Sequence, residues 1–332
     1  MIIAIQQDNY GSNDASSPIW VRLLNKAGFV VREVDVYRAD ILDQLKGCQG
    51  FMWRFGHHPQ MRLIANRLLP VIERELGLLV YPDHNTCWHY DDKLAQAYLF
   101  LATEIPTPKT WIWYKRELAL EWAQTAKYPT VLKLWAGASS SNVRLVKSLT
   151  EAKIWIDRLF GNGVADLRQP LFSMRKTLLK VANVFQVRDL PHPWELHKGY
   201  VYFQEFLPGN VYDTRITVIG NRAFGFRRFN RENDFRASGS GKIDHNPREI
   251  STEFVRLAFE AARKLKTQSC AIDGLWRADQ PVIGEISYTF ASWAVQACPG
   301  HWDSDLNWHE GQLWPEEAQI QDFIERLKTS PT

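Results

Sequence analysis

The sequence has little cysteine, almost no net charge and no long hydrophobic run. Its four cysteines, Cys48, Cys87, Cys270 and Cys298, lie far apart among 332 residues and share no paired spacing. That usage favours reduced thiols over a disulfide framework or a zinc site. No apolar stretch is long enough to cross a membrane, and the N-terminus lacks the basic residues of a secretory signal. We therefore expect a cytoplasmic protein without a membrane partner.

Charge and histidine content narrow the functional classes further. The formal net charge is only +3, which gives no support for nucleic-acid binding. His57-His58 and the group His84, Cys87 and His89 lack the spacing of a zinc site, so we interpret them as surface or capping histidines. The segment Gly239 to Lys242 reads "GSGK" but has no preceding strand and no following serine or threonine, so it is not a P-loop.

The first 85 residues alternate short apolar strands with amphipathic helices, beginning with a strand at residues 2–6. This pattern predicts a small α/β domain with a parallel sheet. Ligands of such sheets lie beyond the carboxyl ends of the strands, so "QDNYGSN" and "RFGHHP" are candidate site segments or ordinary connections. In these two segments, Arg54 is the residue that we favour as facing a site.

The later chain is richer in strands. "YPTVLKLWAGASSSNVRLV" predicts a hairpin whose tip is made of small residues, and "YVYFQEFL", "TRITVIG" and "RAFGFRRF" predict a meander. On its own the small-residue tip, with Lys133 before it, fits either a phosphate cradle or a mobile turn. The end of "YVYFQEFL" likewise fits either a contact to a flat base or a simple strand end.

A hairpin at residues 270–290 carries two acids on facing strands. A symmetric turn centred on Asp279 sets Asp273 opposite Glu285, with their Cβ atoms about 5 Å apart. Like charges that close require a cation or a shared proton. Arg215, Arg228 and Arg236 lie in a nearby stretch of the chain, and together these groups favour a highly negative ligand with metal ions.

Taken in chain order, five segments resemble the ATP-grasp superfamily. They are "YDDKLAQAYLFLATEIPTPKT", "YPTVLKLWAGASSSNV", "YFQEFLPGNVYDTRITVIG", "RRFNRENDFRASGSG" and "AIDGLWRADQPVIGEIS". The likeness is greatest to the branch that contains glutathione synthetases and the ligases that add glutamate to a ribosomal protein. It implies an α/β (α+β) fold with an N-terminal parallel-sheet domain (1–85), a lid domain with a basic helical insert (86–200) and a C-terminal antiparallel-sheet domain with a metal site (201–332).

The resemblance also implies roles for individual residues. ATP phosphates would be held by Lys93 and Lys133 under a lid loop that contains Gly137, Ser139, Ser140 and Ser141. Adenine would contact a hinge formed by Gln204, Glu205, Phe206 and Leu207, and Asp213 would face the ribose. The transferred phosphoryl group and the reacting carboxylate would be held by Arg215, Arg228, Arg236, Ser238 and Gly239. Magnesium would be held by Asp273, Glu285 and Ser287.

Two positions depart from the pattern of this superfamily. Ser287 and Ser238 stand where an asparagine is usual, and a hydroxyl can ligate magnesium but reaches less far than an amide. Ser287 lies two residues beyond Glu285, on the same strand face. These departures bear on the geometry around the acyl group.

The resemblance implies an ATP-dependent carboxylate-amine ligase that forms an amide through an acyl phosphate. Its cofactors would be ATP and two magnesium ions, with manganese as an alternative, and its partners a carboxylate and an amine. Trp293, Trp302, Trp308 and Trp314 suggest a sugar or peptide substrate, or core packing. A kinase and a non-catalytic nucleotide-binding regulator are the competing interpretations, and a homodimer is left open.

Overall fold

The computed structural model describes residues 1–8, 15–137, 142–167, 196–232, 234–237 and 240–329. The chain divides into two compact units. One comprises Met1–Tyr90, Tyr98–Thr107 and Gly209–Thr332, and the other comprises Asp91–Ala97 and Pro108–Pro208. Within the described residues, no helix combines the length and the apolar character needed to span a bilayer.

The N-terminal part of the first unit is the predicted parallel sheet. Its strands run in the order β2-β1-β3-β4 and are β1 (Ile2–Gln6), β2 (Val30–Val34), β3 (Gly50–Met52) and β4 (Leu79–Tyr81). The connecting helices are α1 (Ser17–Lys26), α2 (Ile41–Gln44), α3 (Pro59–Arg74) and α4 (His84–Cys87). Phe51 packs in the core on the α3 side, and Ile3 and Ile5 pack in the core that contains Trp20 of α1. Burial on both faces explains why these strands are almost continuously apolar.

The second unit contains a four-stranded antiparallel sheet in the order β5-β8-β6-β7. The strands are β5 (Thr110–Trp113), β6 (Thr130–Lys133), β7 (Val143–Val146) and β8 (Val201–Glu205). Its helices are α6 (Arg116–Thr125) and α7 (Leu149–Phe160), while α5 (Lys93–Ala102) crosses from this unit into the first. The predicted hairpin of β6 and β7 is confirmed.

The predicted meander is wrong in its first strand. β8 pairs with β5 and β6, not with the strand that follows it in the sequence. The physical reason is burial, because Phe203 of β8 is fully buried and stacks on Trp122 of α6 with ring centroids 4.7 Å apart.

The rest of the first unit is built on a large antiparallel sheet in the order β13-β12-β9-β10-β14-β15, with β11 beside β10. The strands are β9 (Tyr212–Ile219), β10 (Arg222–Phe229), β11 (Ile243–Asp244), β12 (Ser269–Arg277), β13 (Gln280–Ser287), β14 (Gly300–Asp303) and β15 (Trp308–Glu310). The accompanying helices are α8 (Thr252–Leu265), α9 (Ser292–Gln296) and α10 (Pro315–Thr329). The apolar face of α8 packs on this sheet, and α10 packs beside α1.

The acid hairpin has the predicted pairing but a different turn. Asp273 lies opposite Glu285, as expected. The turn itself is the two-residue loop Ala278-Asp279 between the paired residues Arg277 and Gln280. The register shifts after Asp273, and the skipped residue on the partner strand is Gly284, a β-bulge. The predicted symmetric turn is therefore wrong, and the bulge is what brings the two acids opposite each other.

Two glycines of this hairpin give a matched test of packing. A Cβ on Gly274 would lie 2.4 Å from the Phe254 ring, which is buried against Trp276. A Cβ on Gly284 would meet nothing closer than 3.5 Å. We expect Gly274→Ala to lower the free energy of unfolding by about 1–3 kcal/mol, and Gly284→Ala to lower it much less, as measured by urea denaturation. Equal effects would contradict the packing described for Phe254.

Candidate active site

Two arginines and two aspartates form a partly buried ion-pair network on three neighbouring strands. Arg215 donates to both oxygens of Asp273 at 2.7 and 2.9 Å, and Arg228 donates to both oxygens of Asp213 at 2.7 and 2.6 Å. Arg228 Nη2 also lies 2.8 Å from Asp273 Oδ2. The strand register explains the network, because Asp273 pairs with Arg215 across β12 and β9 and Arg228 pairs with Asp213 across β10 and β9. Arg228 therefore bridges two carboxylates.

The environment moves the two aspartate pKa values in opposite directions. Burial raises the pKa of Asp273, but Arg215 and Arg228 together outweigh burial and hold it well below the ordinary aspartate value. For Asp213, burial raises the pKa, the charge of Arg228 lowers it and nearby Asp273 raises it again, so the net shift is upward. For Arg228, burial lowers the pKa, but Asp273 and Asp213 outweigh burial and raise it above its ordinary value.

Glu285 and Ser287 lie on β13, where Glu285 is the cross-strand neighbour of Asp273. Both side chains are half-buried and alternate with buried Ile286, as residues on one face of a strand do. Ser287 Oγ donates to Thr289 O at 2.8 Å and accepts from Thr289 N at 3.3 Å. The side chains of Asp273, Glu285 and Ser287 all end in oxygen atoms, the ligand atoms that magnesium prefers.

Within the described residues, no cluster of three or more histidine, cysteine or acidic side chains is arranged to hold a metal ion. Magnesium is usually bound through one or two carboxylates, with the remaining positions filled by phosphate oxygens and water. The pair Asp273 and Glu285, with the nearby hydroxyl of Ser287, fits that kind of site. Each carboxylate oxygen has two lone pairs, so Asp273 can accept from arginine and still ligate a cation.

Arg236 follows β10 and pairs with a neighbouring acid. Its Nε lies 2.9 Å from each oxygen of Asp234, and its Nη2 lies 2.6 Å from Oδ2. Its predicted contact with a transferred phosphoryl group stays a prediction. Ser238 and Gly239 lie outside the described residues.

In the second unit, Lys93 and Gly137 are brought together by a residue that the sequence reasoning missed. Lys93 Nζ donates to Gly137 O at 3.0 Å, and Gly137 N donates to Asp91 Oδ1 at 3.0 Å. Lys93 Nζ lies 4.0 Å from the same Asp91 oxygen. Asp91 could have been noticed from its place two residues before the lysine in "YDDK". Lys133 ends β6 in the same unit and is buried, while Ser139, Ser140 and Ser141 lie outside the described residues.

The predicted hinge begins with the last two residues of β8, Gln204 and Glu205. Gln204 Nε2 donates to Thr110 Oγ1 at 3.1 Å and to Tyr202 Oη at 3.2 Å, so its side chain is directed into the sheet. Glu205 Oε2 accepts from Lys109 N at 3.1 Å. These contacts fix the end of the strand, after which the chain continues through Phe206 and Leu207. A contact between this segment and adenine, and one between Asp213 and ribose, stay predictions.

A small cavity lies near the carboxyl ends of β3 and β4. This is the region in which the sequence analysis named Arg54 as a candidate site residue. Its lining includes Arg54, Tyr81, Ser16 and Ser292. Arg54 donates to Phe290 O at 3.1 Å and lies 3.6 Å from Asp8. These contacts hold the Arg54 side chain against the segment that follows β13. That Arg54 and the segment around it face a ligand stays a prediction.

Known proteins resemble this chain in sequence over part of its length and in fold over nearly all of it. No protein-family model matches the sequence. The chain is 27% identical over 204 residues to the alpha-aminoadipate–LysW ligase LysX of Saccharolobus solfataricus, an alignment that covers 60% of this chain and 62% of that protein. That match thus spans less than two thirds of the relative.

Solved structures match along nearly the whole chain. A RimK domain ATP-grasp protein from Sphaerobacter thermophilus superposes with a TM-score of 0.56 at 14% identity, over 98% of this chain and 100% of that one. D-alanine–D-alanine ligase from Bacillus anthracis gives 0.58 at 13% identity, over 98% and 97%. The chain therefore has the fold of ATP-grasp proteins, as the sequence resemblance implied.

The Asp273 shift predicts a pH-dependent stability. Because its folded pKa lies below the unfolded value of about 3.9, its stabilising contribution is complete above that value and is lost as the pH falls through the folded pKa. The stability difference between wild type and Asp273→Asn should be largest near neutral pH and shrink below about pH 4. Urea denaturation at several pH values measures this. Asp279→Asn, on the exposed turn of the same hairpin, is the control, and a similar trend in both variants would contradict the assignment.

Proposed function

We propose that this protein is an ATP-dependent carboxylate-amine ligase that forms an amide through an acyl phosphate and releases ADP and phosphate. The observation that carries the proposal is the cluster of Arg215, Arg228, Asp213, Asp273 and Glu285 on adjacent strands of an ATP-grasp fold. Such a cluster offers both carboxylates for a cation and guanidinium groups for a phosphoryl group. The ligase names of the matched proteins agree with it.

The proposal assigns phosphate binding to Lys93 and Lys133, whose ammonium groups provide point charges. Gly137 begins the lid loop. Its φ of +133° and the 2.5 Å distance from a built Cβ to Asn142 Nδ2 leave no room for another residue there. The backbone of Glu205, Phe206 and Leu207 would contact adenine.

The remaining assignments concern the first unit. Asp273, Glu285 and Ser287 would hold magnesium, which when bound neutralises charge on the phosphates. Arg215, Arg228 and Arg236 would stabilise the transferred phosphoryl group and orient the substrate carboxylate. The arginines are already oriented by Asp213, Asp273 and Asp234, so little reorganisation is needed when an anion binds.

The proposed reaction has two steps. An oxygen of the substrate carboxylate attacks the γ-phosphorus, the bond from that phosphorus to the ADP oxygen breaks, and an acyl phosphate forms. The amine nitrogen then attacks the acyl carbon, the bond from carbon to the phosphate oxygen breaks, and the amine loses a proton as the amide forms. The residues named contribute positioning and charge stabilisation rather than covalent chemistry.

The substrates we propose are a small-molecule, sugar or peptide carboxylate and an amine. The matched proteins carry names of ligases for amino acids or for LysW, which favours an amino acid or peptide. Of the four C-terminal tryptophans, Trp302 and Trp308 pack in the core, with ring centroids 4.7 Å apart. Trp293 and Trp314 are 54% and 40% exposed, so only these two are available to a substrate.

The test of the proposal is ADP release over a panel of carboxylate and amine pairs, with mass spectrometry of the product. We expect ADP and phosphate to form only when both an acid and an amine are present. With carboxylate labelled by ¹⁸O, one labelled oxygen should appear in the released phosphate, because the acyl carbon–oxygen bond breaks. A product that retains the phosphoryl group would instead identify a kinase. Tight ATP binding without turnover over the whole panel would favour a regulator.

The role of Lys133 can be tested by nucleotide binding alone. Lys133→Met removes a buried charge at the end of β6, and we expect the Kd for ATP to rise at least about tenfold, or about 1.4 kcal/mol. Isothermal titration calorimetry measures the change. Lys153→Met, on the exposed surface of α7 in the same unit, is the matched control and should bind as the wild type does. Unchanged affinity in the Lys133 variant would remove this residue from the proposed phosphate site.

A further inference from the structure

A chain of hydrogen bonds connects Ser287 to a histidine that the sequence left without a function. Ser287 Oγ bonds with Thr289 O and N, and Thr289 Oγ1 donates to Tyr90 Oη at 2.9 Å. Tyr90 Oη lies 3.0 Å from His57 Nδ1. All four residues belong to the first unit. His57 is thus three side chains away from the strand that carries Glu285.

The hydroxyl protons of Ser287 and Thr289 have defined acceptors. A hydroxyl has one proton and two lone pairs. Ser287 gives its proton to Thr289 O and accepts from Thr289 N, so one lone pair of its oxygen remains. Thr289 Oγ1 donates to Tyr90 Oη, and the Tyr90 hydroxyl shares a second hydrogen bond with His57 Nδ1. The Ser287 oxygen therefore has the polarity that a cation ligand requires.

The middle of the chain is held rigidly. Tyr90 is only 4% exposed. Its ring packs against Tyr288 and Phe55, with centroids 4.7 and 5.6 Å away. Tyr288 Oη donates separately to Phe55 O at 2.5 Å. Tyr90 thus presents its hydroxyl to Thr289 from a fixed position, and Thr289 in turn fixes the Ser287 hydroxyl.

We propose that His57, Tyr90 and Thr289 are positioning residues that hold the Ser287 oxygen as a ligand for the divalent cation beside Glu285. A serine side chain is shorter than the asparagine usual at this position, so its oxygen must be held in one orientation to serve. The hydrogen-bond chain supplies that constraint. This inference rests on the proposed function, because that function supplies the cation.

The test compares two tyrosines of the same aromatic cluster. Tyr90→Phe and Tyr288→Phe each remove one buried hydroxyl, but only Tyr90 belongs to the chain. Binding of Mn²⁺ is measured by electron paramagnetic resonance with a non-hydrolysable ATP analogue present, so that no turnover is needed. We expect the Kd for Mn²⁺ to rise about three- to tenfold in Tyr90→Phe and to change less than twofold in Tyr288→Phe. Equal effects would overturn the proposal, since a purely structural role affects both alike.

Further variants distinguish the loss of the hydrogen-bond chain from a folding defect. Thr289→Val keeps the β-branched shape but removes the hydroxyl, and it should match Tyr90→Phe. His57→Asn keeps an acceptor near the Nδ1 position and should bind Mn²⁺ as the wild type does, while His57→Leu should weaken binding. Neighbouring His58, which accepts from Gln60 N at the start of α3, provides the control His58→Leu, with unchanged Mn²⁺ affinity.

A last variant tests whether the hydrogen-bond chain is needed because residue 287 is a serine. In a Ser287→Asn background the amide reaches the cation directly, so adding Tyr90→Phe should have no further effect. A continued effect of Tyr90→Phe in that background would contradict the proposed route through Ser287. Failure of the wild type to bind Mn²⁺ with the nucleotide analogue would refute the cation site itself and this inference with it. Normal wild-type binding with no loss in Tyr90→Phe would refute the inference alone.

Discussion

The arrangement of the large sheet depends on one buried guanidinium, that of Arg228, which is shared between Asp213 and Asp273. Burial of a single charge is costly, and removal of one partner from such a pair typically destabilises a protein by about 3–5 kcal/mol. Here three strands must keep their register for the network to form, because each contact crosses a strand boundary. A one-residue slip of β9 would move Asp213 and Arg215 to the opposite face. The network thus couples the register of the sheet to the geometry of the site.

The network also explains how charged side chains of both signs can lie in the site when no ligand is bound. Counting formal charges, Asp213, Asp273 and Glu285 exceed Arg215 and Arg228 by one negative charge. A divalent cation would leave one positive charge, which suits a polyphosphate. Two neighbouring strand pairs therefore hold groups of both signs close together, and their mutual contacts keep each side chain oriented before an anion or a cation arrives. The opposite pKa shifts of Asp213 and Asp273 reflect this sharing, because Arg215 and Arg228 both contact Asp273 whereas Asp213 contacts Arg228 alone.

Patterns within one strand pair were readable from the sequence, whereas contacts between distant segments were not. The parallel sheet follows from the alternation of short apolar strands with helices. The pairing of Asp273 with Glu285 was also predicted, although from a symmetric turn that the structure replaces with a bulge. The bulge at Gly284 escaped prediction because an isolated glycine in a strand also fits a regular ladder. β8 was assigned to the wrong sheet because neighbouring strands usually pair, but Phe203 is buried against α6 instead. The link from His57 to Ser287 joins segments 230 residues apart along the chain, so no local pattern indicates it.

Ser287 shows why a residue must be judged with its neighbours. As an isolated replacement of asparagine, it suggests a weakened cation site, because a hydroxyl is shorter and has one donor. In the structure its proton is donated to Thr289 O and one lone pair accepts from Thr289 N, which leaves one lone pair for a cation. Thr289 lies two residues after the end of β13, and its backbone makes both hydrogen bonds with the Ser287 hydroxyl. The loss of reach is thus accompanied by a gain in orientation, and orientation is what a small, rigidly coordinated cation such as magnesium demands of its ligands.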